Sequence, residues 1–102
     1  MNFSTTAINF ASAGDNTLVT GISGKIISVF KIFFVVSLPT NLIFKDGTGG
    51  TALTGAIPVP ANGSLTFTFD TTPWFTASFG NNFVLNQSST AQISGTVYYF
   101  QR

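Results

Sequence analysis

Three aspartates and four cations are the only permanent charges this chain can bring to chemistry. Asp15, Asp46 and Asp70 stand against Lys25, Lys31, Lys45 and Arg102, in a chain of 102 residues with no His, no Cys and no Glu. General acid–base catalysis needs a group that titrates near its working pH. Nucleophilic catalysis needs a partner that activates the nucleophile. Ser and Thr are plentiful, but without His there is no triad, and no serine stands in a spacing that suggests a Ser–Lys dyad. The aspartates fall in three separate turns, each without a neighbouring carboxylate. They read as turn residues rather than calcium ligands. The run Asp46-Gly47-Thr48-Gly49-Gly50-Thr51 is Gly-rich but lacks the Gly-Lys-Ser/Thr ending of a phosphate loop, and no helix follows it. It reads as a plain mobile loop. No metal, cofactor or catalytic residue is expected, and the chain is not expected to be an enzyme.

The remaining candidates are aromatic. Trp74, Phe75, Tyr98 and Tyr99 could stack on sugar rings or on bases. Binding of nucleic acid would also need a basic groove, and a net charge of +1 supplies none. A carbohydrate contact through Trp74 and Phe75 stays open, beside a plainer reading in which they plug one end of the fold.

Charged residues are 7% of the chain, against about 25% in a typical soluble domain. A surface with so little repulsion favours association. The absence of Cys removes any disulfide frame. The N-terminal residues lack the cationic-then-apolar pattern of a signal peptide. The strongest apolar run, residues 26–38, carries Lys31 near its middle. It is well short of the roughly 20 residues a spanning helix needs, so neither a membrane anchor nor a membrane partner is expected.

Gly, Asn and Pro punctuate the chain at short intervals, with β-branched and aromatic residues between. No segment shows helical periodicity with good helix formers. The pattern predicts about eight strands, within or at residues 2–11, 17–22, 25–37, 41–45, 51–57, 64–70, 82–87 and 91–100. This is an all-β chain forming one antiparallel β-sandwich domain over residues 1–102, of jelly-roll or Greek-key type. Ile8 and Phe10 are expected to point inward. In 64–70, Leu65, Phe67 and Phe69 alternate with polar residues and are expected to share a face.

The strand at 25–37 is apolar on both faces. One set contains Ile26, Ser28, Phe30, Ile32, Phe34 and Val36; the other contains Lys25, Ile27, Val29, Lys31, Phe33 and Val35. A strand with one wet face would alternate apolar with polar. If one set fills the core, Ile27, Val29, Phe33 and Val35 are left outside, covered either by the chain's own loops or by another subunit.

From about Lys25 onward the chain also resembles a family of small structural proteins of tailed bacteriophages. The resemblance is carried by Asn41-Leu42-Ile43-Phe44-Lys45-Asp46-Gly47, Ala52-Leu53-Thr54-Gly55-Ala56-Ile57-Pro58-Val59 and Ala61-Asn62-Gly63. It continues through Pro73-Trp74-Phe75-Thr76, Asn82-Phe83-Val84-Leu85-Asn86 and Ala91-Gln92-Ile93-Ser94-Gly95-Thr96-Val97-Tyr98-Tyr99. None of these is a chemical motif. The resemblance implies a virion protein made in the host cytoplasm. Its implied role is capsid decoration (cement): a homotrimer on the outer capsid surface that ties neighbouring copies of the major capsid protein. A receptor- or carbohydrate-binding head-fibre or tail module is the alternative. Residues 1–24 carry little of the resemblance and are expected to include an N-terminal arm reaching a neighbour.

Overall fold

Alternating apolar and polar residues between Gly, Asn and Pro turns fold, among the described residues, into ten strand segments and no helix. This computed structural model describes residues 3–102. The segments are β1 Ser4–Phe10, β2 Gly14–Val19, β3 Ile27–Val36, β4 Thr40–Asp46 and β5 Thr51–Ala52, then β6 Ile57–Val59, β7 Ser64–Phe67, β8 Phe75–Ala77, β9 Phe83–Gln87 and β10 Ile93–Gln101. They form two five-stranded antiparallel sheets. The front sheet runs β1-β10-β3-β7, with β8 also on β3; the back sheet runs β2-β9-β4-β5, with β6 also on β4.

The ten segments occupy eight strand positions. β7 and β8 pair with successive stretches of β3, at Ile32–Val35 and Ile27–Val29, and are one strand interrupted by residues 68–74. β5 and β6 pair likewise with the two ends of β4. The resulting orders, β1-β10-β3-β7/β8 and β2-β9-β4-β6/β5, are those of a jelly roll. The expected sandwich is therefore what the chain forms. The strand expected over 51–57 is broken, and β8 arises where a loop was expected.

Both sheets turn their apolar rows onto one core. From the front sheet come Ile8, Ile27, Val29, Ile32, Phe34, Val36, Ile93 and Val97; from the back sheet, Leu18, Val19, Leu42, Phe44, Phe83 and Leu85. Phe44 is its hub, with ring centroids 4.6 Å from Phe75, 5.7 Å from Phe83 and 5.8 Å from Phe67. One polar clamp crosses this interior. Buried Gln87 accepts a hydrogen bond from Thr40 Oγ1 at 3.1 Å and donates Nε2 to the carbonyls of Ala91 (2.9 Å) and Ser12 (3.1 Å). A buried amide needs such partners, because an unmet polar group costs about 1–3 kcal/mol.

The parity of β3 differs from simple alternation. Lys31 pairs with Tyr98 and Val29 with Tyr99, which leaves Phe30 as an unpaired bulge residue. A bulge inserts one residue and flips every side chain beyond it. Ile27 and Val29 therefore point inward before the bulge, and Ile32, Phe34 and Val36 point inward after it, all with no exposed surface. Segment 3–24, where an arm was expected, supplies β1 and β2 as edge strands of the two sheets. The part of that expectation falling on residues 1 and 2 lies outside the described residues.

Candidate interaction surface

The bulge divides the four residues expected outside. Ile27 and Val29 belong to the core, because the extra residue at position 30 turns them inward. Phe33 and Val35 remain on the outer face of the front sheet, 41% and 48% exposed. Phe33 lies between Thr66 of β7 and Thr96 of β10; Val35 lies between Ser64 and Ser94. These two apolar side chains thus stand in a field of hydroxyls. Lys31 Nζ sits 5.1 Å above the Tyr98 ring beside them.

The same bulge carries Phe30 to the outer face, where periodicity did not place it. Phe30 is only 8% exposed because three rings enclose it: Phe3 at 5.3 Å, Phe100 at 5.8 Å and Phe69 at 6.3 Å. Phe69 was expected to share a face with Leu65 and Phe67. Strand β7 ends at Phe67 instead, and the 68–74 excursion swings Phe69 outward, leaving it 55% exposed. The interruption lies opposite the bulge, since Ile32 pairs with Phe67 and Val29 with Phe75. Bulge and break together build a second aromatic cluster outside the sandwich. It borders a cavity of about 350 Å³ that Ser28, Pro73 and Arg102 help to line. The Arg102 guanidinium stands 5.7 Å from the Phe100 ring. This surface offers aromatic faces, hydroxyls and one cation. It suits packing and not proton transfer. The signal for it in the sequence was the two-sided apolar character of residues 25–37.

The two residues of the carbohydrate reading separate as well. Phe75 stacks on Phe44 at 24° and packs against Phe67 and Phe83, so its faces are spent in the core. Trp74 is 45% exposed, yet its indole Nε1 donates to the Thr68 carbonyl at 2.7 Å and its ring lies 5.2 Å from Phe67. The pair plugs the end of the sandwich, which leaves only the outer side of Trp74 for a ligand.

The aspartates act as ties. Asp15 accepts from Asn86 Nδ2 at 2.7 Å, from the Gly49 N–H at 2.6 Å and from Lys45 Nζ at 3.1 Å. Asp46 accepts from the Ser78 N–H and hydroxyl at 2.9 and 2.6 Å and from Asn81 Nδ2 at 3.0 Å. The Gly-rich loop is thereby fastened down. Its Gly47 N–H goes to the Asn82 carbonyl and its Gly50 N–H back to Gly47, so these amides point at the protein rather than at a phosphate. Asp70 accepts from the Thr71 N–H and shapes its own turn. Among the described residues no three potential metal-ligating side chains of the His, Cys, Asp or Glu type come together. Nor is any helix long and apolar enough to cross a membrane.

These ties set an acid limit. The Asn86 amide, the Gly49 N–H and Lys45 hold the Asp15 carboxyl below its ordinary value, against burial that pushes it up. For Asp46, burial pushes upward, and the Ser78 and Asn81 donors outweigh it, so that carboxyl also lies low. A carboxylate whose folded pKa is depressed contributes stability above its unfolded pKa and loses it as pH falls through the folded value. The melting temperature is therefore expected to be flat near neutrality and to fall below about pH 4. In a D15N/D46N variant that fall should be shallower. Parallel acid limbs for the two proteins in thermal melts would exclude this role.

No family model matches the chain, and no curated protein does. Among solved structures, one of Bacillus endospore appendages, described as forming "a novel family of disulfide-linked pili", matches with a TM-score of 0.56 at 18% identity. The match covers 98% of this chain and 85% of that one. At this identity the likeness is one of fold.

Proposed function

We propose that this protein is a non-enzymatic structural subunit of a bacteriophage virion, a capsid decoration protein that binds the outer capsid surface as a homotrimer and ties neighbouring major capsid subunits together. The observation that carries the reading is the outer face of the front sheet. Phe33 and Val35 stand exposed there among Ser and Thr hydroxyls, next to the aromatic cluster around Phe30. Large apolar side chains left exposed together on one sheet face make that face a candidate for contact with another subunit. The charges beside this face are the cations Lys31 and Arg102, each held over an aromatic ring, so a partner that covers the face has few ionic groups to meet.

The resemblance to phage structural proteins supports the virion setting. The pilus neighbour supports repetitive assembly as work a jelly roll of this kind can do, although a disulfide link has no counterpart in a chain without cysteine. Virions assembled without the protein should lose tolerance to heat. Added wild-type protein should restore it, and a folded F33D/V35D variant should not. Protein-free particles that survive heating as well as complete ones would overturn the reading. A second reading, a self-assembling filament subunit, is favoured by the pilus neighbour; filaments formed by the purified chain alone, seen by electron microscopy, would replace the first.

A further inference from the structure

A jelly roll leaves four strand edges, each a row of backbone groups able to pair with another chain. Three of the four are guarded here. The β5/β6 edge is broken between Ala52 and Ile57 and contains Pro58. The β7/β8 edge is broken by residues 68–74, which hold Asp70, Pro73 and the Trp74 plug. The β2 edge has an irregular register between Thr17 and Val19 and carries the ion-paired Asp15. Breaks, prolines, bulges and charges are the devices that blunt an edge.

Strand β1 has none of them. Its seven residues, Ser4-Thr5-Thr6-Ala7-Ile8-Asn9-Phe10, include no charge and no proline. They pair one-to-one with β10 from Ser4↔Tyr99 to Phe10↔Ile93 without a shift. No hydrogen bond from a turn, a loop or a side chain reaches the β1 backbone among the described residues. Its side away from β10 thus presents a straight ladder of unpaired N–H and C=O groups.

We propose that this edge is a docking site for a second copy of the chain: β1 pairs antiparallel with β1 of the partner about a two-fold axis at Ala7, fusing two front sheets into one. The composition selects a copy of itself over a charged partner. In this register Ala7 faces Ala7, Thr5 faces Asn9, Thr6 faces Ile8 and Ser4 faces Phe10. No charge meets a charge, and core-facing Ile8 stays on the core side of the joined sheet. A net charge of +1 opposes the approach of two copies only weakly. Such an isologous contact is self-complementary by symmetry. It is separate from the face around Phe33 and from any three-fold association there, so it can join one trimer to the next.

The test uses the full chain and light-scattering mass with amide exchange. Wild type should show a concentration-dependent doubling of mass, and β1 amides should exchange more slowly as the concentration rises. T5K/N9K, which sets lysines opposite one another, should weaken pairing about tenfold or more, and T5K/N9D, which sets opposite charges across the axis, should restore it. At a concentration low enough to leave wild type unpaired, all three proteins should melt at nearly the same temperature, because Thr5 and Asn9 are exposed and Asn9 gives up only a surface hydrogen bond from Gln92; at higher concentration wild type and T5K/N9D should melt above T5K/N9K. A mass identical in all three, or β1 amides indifferent to concentration, would overturn the proposal. Either result would leave the capsid reading to its own heat test.

Discussion

Phe44→Ala is expected to remove about 3–5 kcal/mol of stability, as loss of a fully buried ring does. For a chain near 100 residues that lowers the melting temperature by roughly 15–30 °C. It is also a large share of the 5–15 kcal/mol typical of a whole domain. The cause is the position of this ring. Phe44 comes from the back sheet but stacks at 8° on Phe83 and at 24° on Phe75, and it meets Phe34 and Phe67 of the front sheet. Truncation would open a void in contact with both sheets at once. Phe33→Ala is the matched control. It removes the same ring from the outer face and should change stability by no more than about 0.5 kcal/mol. Urea unfolding of the two variants compares a ring of the core with one of the outer face: equal losses would mean that Phe33 is buried rather than exposed.

Gly95→Ala is expected to cost about 3 kcal/mol, at the upper end for overpacking by a single methyl group. Gly95 sits in β10 between β1 and β3, opposite Ile8 and Phe34. A methyl group there would collide with the Phe33 carbonyl oxygen and approach the Phe34 Cα and Cβ at 2.7 Å. Those atoms belong to the longest strand and cannot yield as a surface side chain would. Gly55→Ala is the counterpart, since nothing lies within 4 Å of the added methyl. It should be neutral or stabilise by about 0.4–1 kcal/mol through the unfolded chain. Chemical denaturation of both variants checks the pair, and a Gly95→Ala protein as stable as wild type would refute the close approach.

Particular residues show how far the sequence could be read. Ile8 and Phe10 were assigned inward by alternation, and they are, because β1 pairs with β10 without interruption. Alternation failed at Ile27 and Val29 because it counts residues and cannot see that one of them is unpaired. An apolar two-sided strand gives no polar marker to reveal the shift. Phe69 was misassigned for a related reason. Its spacing continues the row of Leu65 and Phe67, but the strand ends before it and the chain leaves the sheet. The aromatic cluster around Phe30 depends on both irregularities. Its members, at positions 3, 30, 69 and 100, are too far apart in the chain for any local pattern to join them.

By itself the sequence determined the class of the fold and the poverty of its chemistry. Turn residues at short intervals and β-branched or aromatic runs between them specify strands, and strand segments that cannot bury both faces alone must stack as a sandwich. The absence of His, Cys and Glu is a fact of composition that no folding alters. Tertiary structure alone decided which residues of β3 face the core, which carboxylates fasten the Gly-rich loop, and which edge stays open. Each of these rests on pairing between strands distant in sequence. A one-residue slip in that pairing exchanges the two faces of a strand, and local sequence carries no record of the slip.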